Sequence, residues 1–131
     1  MIMSRLQNSS LQGYLVKRGD RVKNWKRRFF TFENGVLAYK KDERDESRVI
    51  RREYVENVIY WNGMAHGFCV HLSSGRVLYM SAPSEDEASR WYNVVEAYVA
   101  SQQKASQMMK LAARKRLPSI EESALENLNF A

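Results

Sequence analysis

The chain has 131 residues, room for one domain and a short tail. Its 44% hydrophobic and 27% charged content exclude a wholly disordered, collagenous or low-complexity protein. The net charge of +6 is uneven: residues 1–52 hold fourteen basic and six acidic side chains, the remainder seven and nine, so the N-terminal half calls for an anionic partner.

Met1 to Leu11 contains no apolar core of signal-peptide length. No run of the ~18 apolar residues that span a bilayer occurs anywhere. The single cysteine, Cys69, rules out an internal disulfide and fits a reducing compartment. These features point to a cytoplasmic protein.

From Gly13 to Ser81 the apolar runs are short, rich in Val, Ile, Tyr and Phe, and punctuated by turn residues. Seven strands are predicted, at about 12–18, 25–33, 36–41, 47–51, 56–61, 67–72 and 76–81. Asn34-Gly35 and Asn62-Gly63 predict two-residue hairpin turns, because both residue types tolerate positive φ. Ser74-Gly75 is a weaker signal for a tight turn.

After Ser81 the period becomes helical. Ser84 is placed as an N-cap with Glu87 as its capping-box partner. The acids at 85–87 suit the positive end of the helix dipole. Ala88, Trp91, Val95, Tyr98 and Val99 then form one apolar face. No helix breaker follows until Pro118, and Ser119 with Glu122 opens a second capping box. Residues 104–116 hold five basic residues and no acid. The predicted architecture is mainly β: a seven-stranded, bent antiparallel barrel or sandwich capped by one C-terminal helix. The domain spans 11–103, after an N-terminal tail at 1–10 and before a basic helical extension and tail at 104–131.

Strand parity brings a charged set together. Leu15 and Lys17 share one face, as do Lys26, Arg28, Phe30 and Phe32, and then Leu37, Tyr39 and Lys41. Lys17, Lys26 and Arg28 lie towards the 19–24 connection, with Tyr39 running towards the same end. The expected inner surface is apolar at depth and cationic at one mouth. Arg can hold a phosphate through two parallel hydrogen bonds, and Lys acts as a point charge. Arg18, Arg21, Lys23, Arg44, Arg48 and Arg76 are candidates for additional contacts. His66 and His71 have no companion ligands for a metal, and no nucleophile–base pair, P-loop or dinucleotide turn is present. The chain is therefore read as neither an enzyme nor a cofactor or metal binder.

Gly13-Tyr14-Leu15-x-Lys17-Arg18-Gly19, Trp25-Lys26-Arg27-Arg28-Phe29-Phe30, Leu37-x-Tyr39 and the helical Trp91 together resemble a pleckstrin homology (PH) domain over about 11–102. Lys17-x8-Lys26-x-Arg28-Phe29-Phe30 with Tyr39 is similar to the signature of members that bind 3-phosphorylated phosphoinositides. The resemblance implies that Lys17 and Arg28 grip the 3-phosphate region, while Lys26 and Tyr39 contact neighbouring phosphates, Tyr39 the 4-phosphate. Ser81-Ala82-Pro83-Ser84-Glu85 resembles the cytohesin type, although the tight Ser74-Gly75 turn lacks the enlarged hairpin of some of its members. The implied ligand is the membrane lipid phosphatidylinositol 3,4,5-trisphosphate and/or the 3,4-bisphosphate. The implied role is that of a peripheral signalling adaptor, recruited to the plasma membrane as a monomer. The alternative is a PH-fold protein–protein interaction module with weak or unspecific lipid binding. Separately, the C-terminal extension is a candidate site for a protein partner. No nucleic-acid partner is expected, since RNP-like aromatic motifs and finger or helix-turn-helix spacings are missing.

Overall fold

The computed structural model describes residues 10–19 and 24–130, with helical side chains described through 114. Among the described residues six strands are formed: β1 (Ser10–Arg18), β2 (Trp25–Glu33), β3 (Val36–Lys40), β4 (Val49–Tyr60), β5 (Gly67–Leu72) and β6 (Val77–Ser81). They pair antiparallel in sequence order, and β1 closes the barrel onto β6 through Val16↔Ser81 and Lys17↔Met80. One helix, α1 (Glu85–Phe130), follows.

The barrel interior follows the period-two pattern. Leu15, Phe30, Phe32, Leu37, Val55, Val58, Phe68, Val70, Leu72, Leu78 and Met80 are buried together. Two of the predicted turns hold. Asn34 and Gly35 both take positive φ, 51° and 82°, joining β2 to β3. Gly75, at φ 92°, lies in the tight β5–β6 connection, where its N–H donates to the Leu72 carbonyl at 2.9 Å.

Two expectations are corrected. The predicted strands at 47–51 and 56–61 are parts of one strand, so there are six and not seven. β4 pairs with β3 along Val49–Tyr54 and with β5 along Val55–Tyr60, with a register shift between Val55 and Asn57. An irregularity of this kind bends a strand without breaking it, which lets β4 serve both halves of the barrel. Asn62-Gly63 does not close a two-residue hairpin either. Pairing stops at Tyr60 and resumes at Gly67, and the positive φ falls on His66 at 57°. Trp61 is the reason: its indole lies over Gly63, where even a Cβ would meet the ring at 2.1 Å, and edge-on to Tyr79. Ser81 Oγ and the Ala82 N–H then donate to the Ala65 and His66 carbonyls and hold the longer loop in place.

The N-cap of α1 forms as the sequence anticipates, whereas the Glu87 carboxylate, expected to complete the capping box, faces Arg90 at 3.8 Å. The Glu87 N–H donates to Ser84 Oγ at 3.1 Å, and the Ala88 N–H to the Ser84 carbonyl at 3.0 Å. Ala88, Trp91, Val95 and Val99 are buried in the barrel core. Tyr98 lies edge-on to Phe32 and over Gly35, so the helix covers the end of the barrel that carries the β2–β3 turn. A Cβ at Gly35 would sit 2.1 Å from the Tyr98 ring, a second reason for glycine there. The chain divides into two compact units, Met1–Val99 and Ala100–Ala131. In the second unit the helical backbone runs on through Pro118 to Phe130, where a break was expected. The side chains of the predicted Ser119–Glu122 box lie outside those described. Residues 100–114 are exposed throughout.

Candidate functional site

The end of the barrel opposite the β2–β3 turn is formed where β1 passes to β2. Lys17 stands opposite Lys26, and Leu15 opposite Arg28. β3 reaches the same end at Lys40, which pairs with Phe29 and with Val49, the first residue of β4. Because Lys17 pairs with Met80 in an antiparallel ladder, the β5–β6 turn also opens on this end.

The mouth has an aromatic floor and cationic walls. Tyr39 is 5% exposed, with its ring 5.0 Å from that of Phe30. Lys17 Nζ stands 5.0 Å from the centroid of the same Tyr39 ring, a cation–π contact. Burial first, and then the charges of Arg28, Lys26 and Arg51, push the Lys17 ammonium below the ordinary lysine range. Like charges crowded at a half-buried site destabilise one another, and an anion relieves that repulsion. Arg28 Nη1 donates to the Arg27 carbonyl at 3.0 Å, and the side chain is otherwise partly exposed at the rim.

Arg51 is the residue that sequence reading missed. β4 sets it opposite Tyr39, and the Arg51 guanidinium pairs with Glu53. Burial works against its charge, yet the hydrogen bonds to Glu53 and Tyr39 more than offset this and raise its pKa. Its Nε is buried without a hydrogen-bond partner. Glu53 also accepts from the Ser74 N–H at 3.1 Å, tying the β5–β6 turn to β4. The hydrogen bond from Ser74 and the ion pair with Arg51 outweigh burial and keep the Glu53 carboxyl below its usual range. Strand parity could have found Arg51, since it shares a face with the buried Val55. The assumed break between the two strands hid that alternation.

The other candidates are dispersed. Arg18 points to the outside of the barrel, its guanidinium 4.2 Å from the Tyr79 ring and 5.8 Å from that of Trp61. Trp25 stacks on Trp61 with centroids 6.1 Å apart, completing an exterior aromatic cluster. Arg44 is exposed and bridges to Asp42 at 3.0 Å. Hydrogen bonds from Ser47 and Arg44 hold the Asp42 carboxyl at about 2. Arg48 is exposed immediately before β4, and Arg76 closes the β5–β6 turn, half-buried. Arg21 and Lys23 lie outside the described residues.

The PH domain family model matches residues 10–100. The chain belongs to the PH domain family. The fold is a non-catalytic binding module, and the family is known for phosphoinositide binding and membrane recruitment. The chain is 28% identical over 96 residues to pleckstrin homology domain-containing family A member 2 of Homo sapiens, covering 66% of this chain and 22% of that protein. It is 30% identical over 88 residues to a Mus musculus protein named dual adapter for phosphotyrosine and 3-phosphotyrosine and 3-phosphoinositide, covering 64% and 31%. The chain thus spans less than a third of the length of either relative. Among solved structures, the human oxysterol binding protein-related protein 11 PH domain matches with a TM-score of 0.64 and 23% identity, over 74% of this chain and 85% of that one. The C-terminal PH domain of pleckstrin, solved with D-myo-Ins(1,2,3,5,6)P5, matches with a TM-score of 0.62 and 22% identity, over 68% and 93%. No helix among the described residues is long and apolar enough to cross a membrane.

Proposed function

We propose that this PH domain binds phosphoinositide head groups at the cationic mouth and recruits its protein to a membrane. One observation carries the reading: Lys17 is crowded by Arg28, Lys26 and Arg51 above the Tyr39 ring, a pre-assembled positive site that an anion of several phosphates would neutralise. In this reading Lys17 and Arg28 hold the 3-phosphate, and Lys26 and Tyr39 take the neighbouring phosphates. Arg51 sets the Tyr39 hydroxyl and adds charge behind it. The ligand is phosphatidylinositol 3,4,5-trisphosphate and/or the 3,4-bisphosphate, supported by the signature in β1–β3 and by the name of the mouse relative. The plasma membrane is the destination, and the domain acts as a monomer within a signalling adaptor. The domain is taken as 11–103, flanked by a tail at 1–10 and an extension at 104–131.

Sedimentation with vesicles carrying each phosphoinositide in turn tests this, beside calorimetry with soluble inositol phosphates and a shift assay with an oligonucleotide. Retention by vesicles carrying 3-phosphorylated lipids is expected. Equal binding to every anionic vesicle, or to the oligonucleotide, would reduce the site to diffuse charge. A second reading, protein recognition by the extension, is favoured by the exposed Met108, Met109 and Leu111 beside Lys104, Lys110 and Arg114. A partner interaction that survives neutralisation of the mouth would support it.

A further inference from the structure

Up to its bend, β4 turns Val49, Arg51, Glu53 and the buried Val55 to one side. Among the described residues on this face of β1, β2, β3 and the first half of β4, Glu53 is the one acid. Its side chain is 13% exposed, and both carboxylate oxygens are taken. Oε2 accepts from Arg51 Nη1, and Oε1 accepts from the Ser74 N–H at 3.1 Å. The wall of the mouth is therefore uneven in charge. On β1 and β2, Lys17, Lys26 and Arg28 form no ion pair among the described residues. On β4, Arg51 is already paired. That pair lacks the two parallel bonds of a full guanidinium–carboxylate fork, since Arg51 Nε is buried with no partner.

We infer that Glu53 is a specificity-determining residue: it holds Arg51 as an internal counter-ion in the place of a third phosphate, and so sets the mouth for a 3,4-bisphosphorylated head group over the 3,4,5-trisphosphorylated one. This rests on the phosphoinositide reading above. Positions 3, 4 and 5 are consecutive on the inositol ring. With the 3-phosphate at Lys17 and Arg28 and the 4-phosphate at Tyr39, the 5-position continues across the strands to β4, where Arg51 stands opposite Tyr39. A 5-phosphate arriving there meets a cation whose charge is already balanced, with a carboxylate beside it. Carboxylate and phosphate repel, and the repulsion is stronger at a partly enclosed wall than in water. Glu53 does not swing clear, because the Ser74 N–H ties it to the β5–β6 turn. Its charge is a fixed part of the wall, since those same bonds keep the carboxyl below its usual range. The 3- and 4-phosphates lie against the unpaired cations of β1 and β2, further from Glu53. Discrimination then comes from a repulsive element set beside the attractive ones.

The test compares the full chain with Glu53→Gln, whose amide oxygen can still accept from the Ser74 N–H, and with Glu53→Gln combined with Arg51→Met. Calorimetry is run with soluble inositol 1,3,4-trisphosphate and inositol 1,3,4,5-tetrakisphosphate, beside an unfolding midpoint for each protein. The full chain should bind the trisphosphate at least as tightly as the tetrakisphosphate. Glu53→Gln should gain about tenfold for the tetrakisphosphate and change by less than about threefold for the trisphosphate. Adding Arg51→Met should cancel that gain. Vesicles bearing phosphatidylinositol 3,4-bisphosphate or the 3,4,5-trisphosphate should reproduce the ranking. A full chain that binds the tetrakisphosphate about tenfold more tightly than the trisphosphate would overturn the inference, whether or not the variants fold. An equal gain for both ligands in Glu53→Gln would also overturn it, because Glu53 would then act as diffuse charge. So would an unchanged affinity for the tetrakisphosphate, or a gain that survives the loss of Arg51. The expected ranking in solution without retention by vesicles would uphold the role of Glu53 and overturn the membrane reading. A full chain that binds none of these ligands would overturn both.

Discussion

At the closed end of the barrel, Trp91, Val95 and Val99 belong to one buried cluster with Phe32, Leu37 and their neighbours, and Tyr98 lies over a glycine that has no side chain. At the open end, Lys17 stands over Tyr39, and burial together with the charges of Arg28, Lys26 and Arg51 opposes its charged form. The same strands supply both ends. Phe30 and Arg28 are two residues apart on one face, yet the first is fully buried and the second is at the rim. A small domain has only a modest stability to distribute, so a strained mouth depends on a well-packed far end.

The sharpest way to separate the two ends is to damage one and read both. Trp91 is 2% exposed, and Trp91→Ala should remove about 3–5 kcal/mol of stability through the cavity it leaves. The unfolding midpoint would record this, and a small shift would mean that the helix is not the plug. Arg28→Ala should do the converse. Losing a charged hydrogen bond costs about 1.5–3 kcal/mol, at least a tenfold fall in affinity for a soluble inositol phosphate. Its midpoint should move little, and equal affinity of variant and parent would remove Arg28 from the site.

Ser84→Ala probes the closed end more gently. Loss of the oxygen that accepts from the Glu87 N–H should cost about 1 kcal/mol, read as a lower midpoint with unchanged affinity. The smallest effect is a pH dependence at the mouth. Lys17 has a lowered pKa in the folded chain, so it loses its proton before an ordinary lysine does. Between that lowered value and the ordinary 10.5, the unfolded chain binds more protons than the folded one. Stability therefore rises with pH across this window as the repulsion is relieved. Affinity for a polyanion falls over the same window, because Lys17 is losing the charge that attracts it. Lys17→Met should abolish the Lys17 part of both trends, measured as midpoint and affinity against pH. Identical profiles in parent and variant would show that Lys17 is not crowded.

Much of the closed end was legible in the residues. The helical spacing of Ala88, Trp91, Val95 and Val99 needs only a 3.6-residue period, and Ser84 needs only its oxygen before the first turn. Of the mouth, the shared parity of Lys17 and Arg28 with Leu15 and Phe30 was readable. Arg51 was missed although its parity with Val55 was there to read, because that parity counts only if β4 continues past Tyr54, and that continuity is set by pairing with both β3 and β5. Arg18 shows the other limit. It stands next to Lys17 in a basic run, and composition alone groups them. One residue of strand turns it to the outside, onto Tyr79 and Trp61.

Local chemistry alone settles part of this molecule: the alternation that buries Leu15, Phe30 and Leu37, the positive-φ turn at Asn34-Gly35 and the cap at Ser84. Each depends on a few neighbouring residues whose steric and hydrogen-bonding preferences act without the rest of the chain. Only the tertiary structure decided that β4 is one bent strand, that Trp61 opens the Asn62-Gly63 turn into a longer loop, and that Arg51 stands opposite Tyr39. Those outcomes depend on registers and packing between residues far apart in sequence, such as Trp61 with Tyr79 and Arg18.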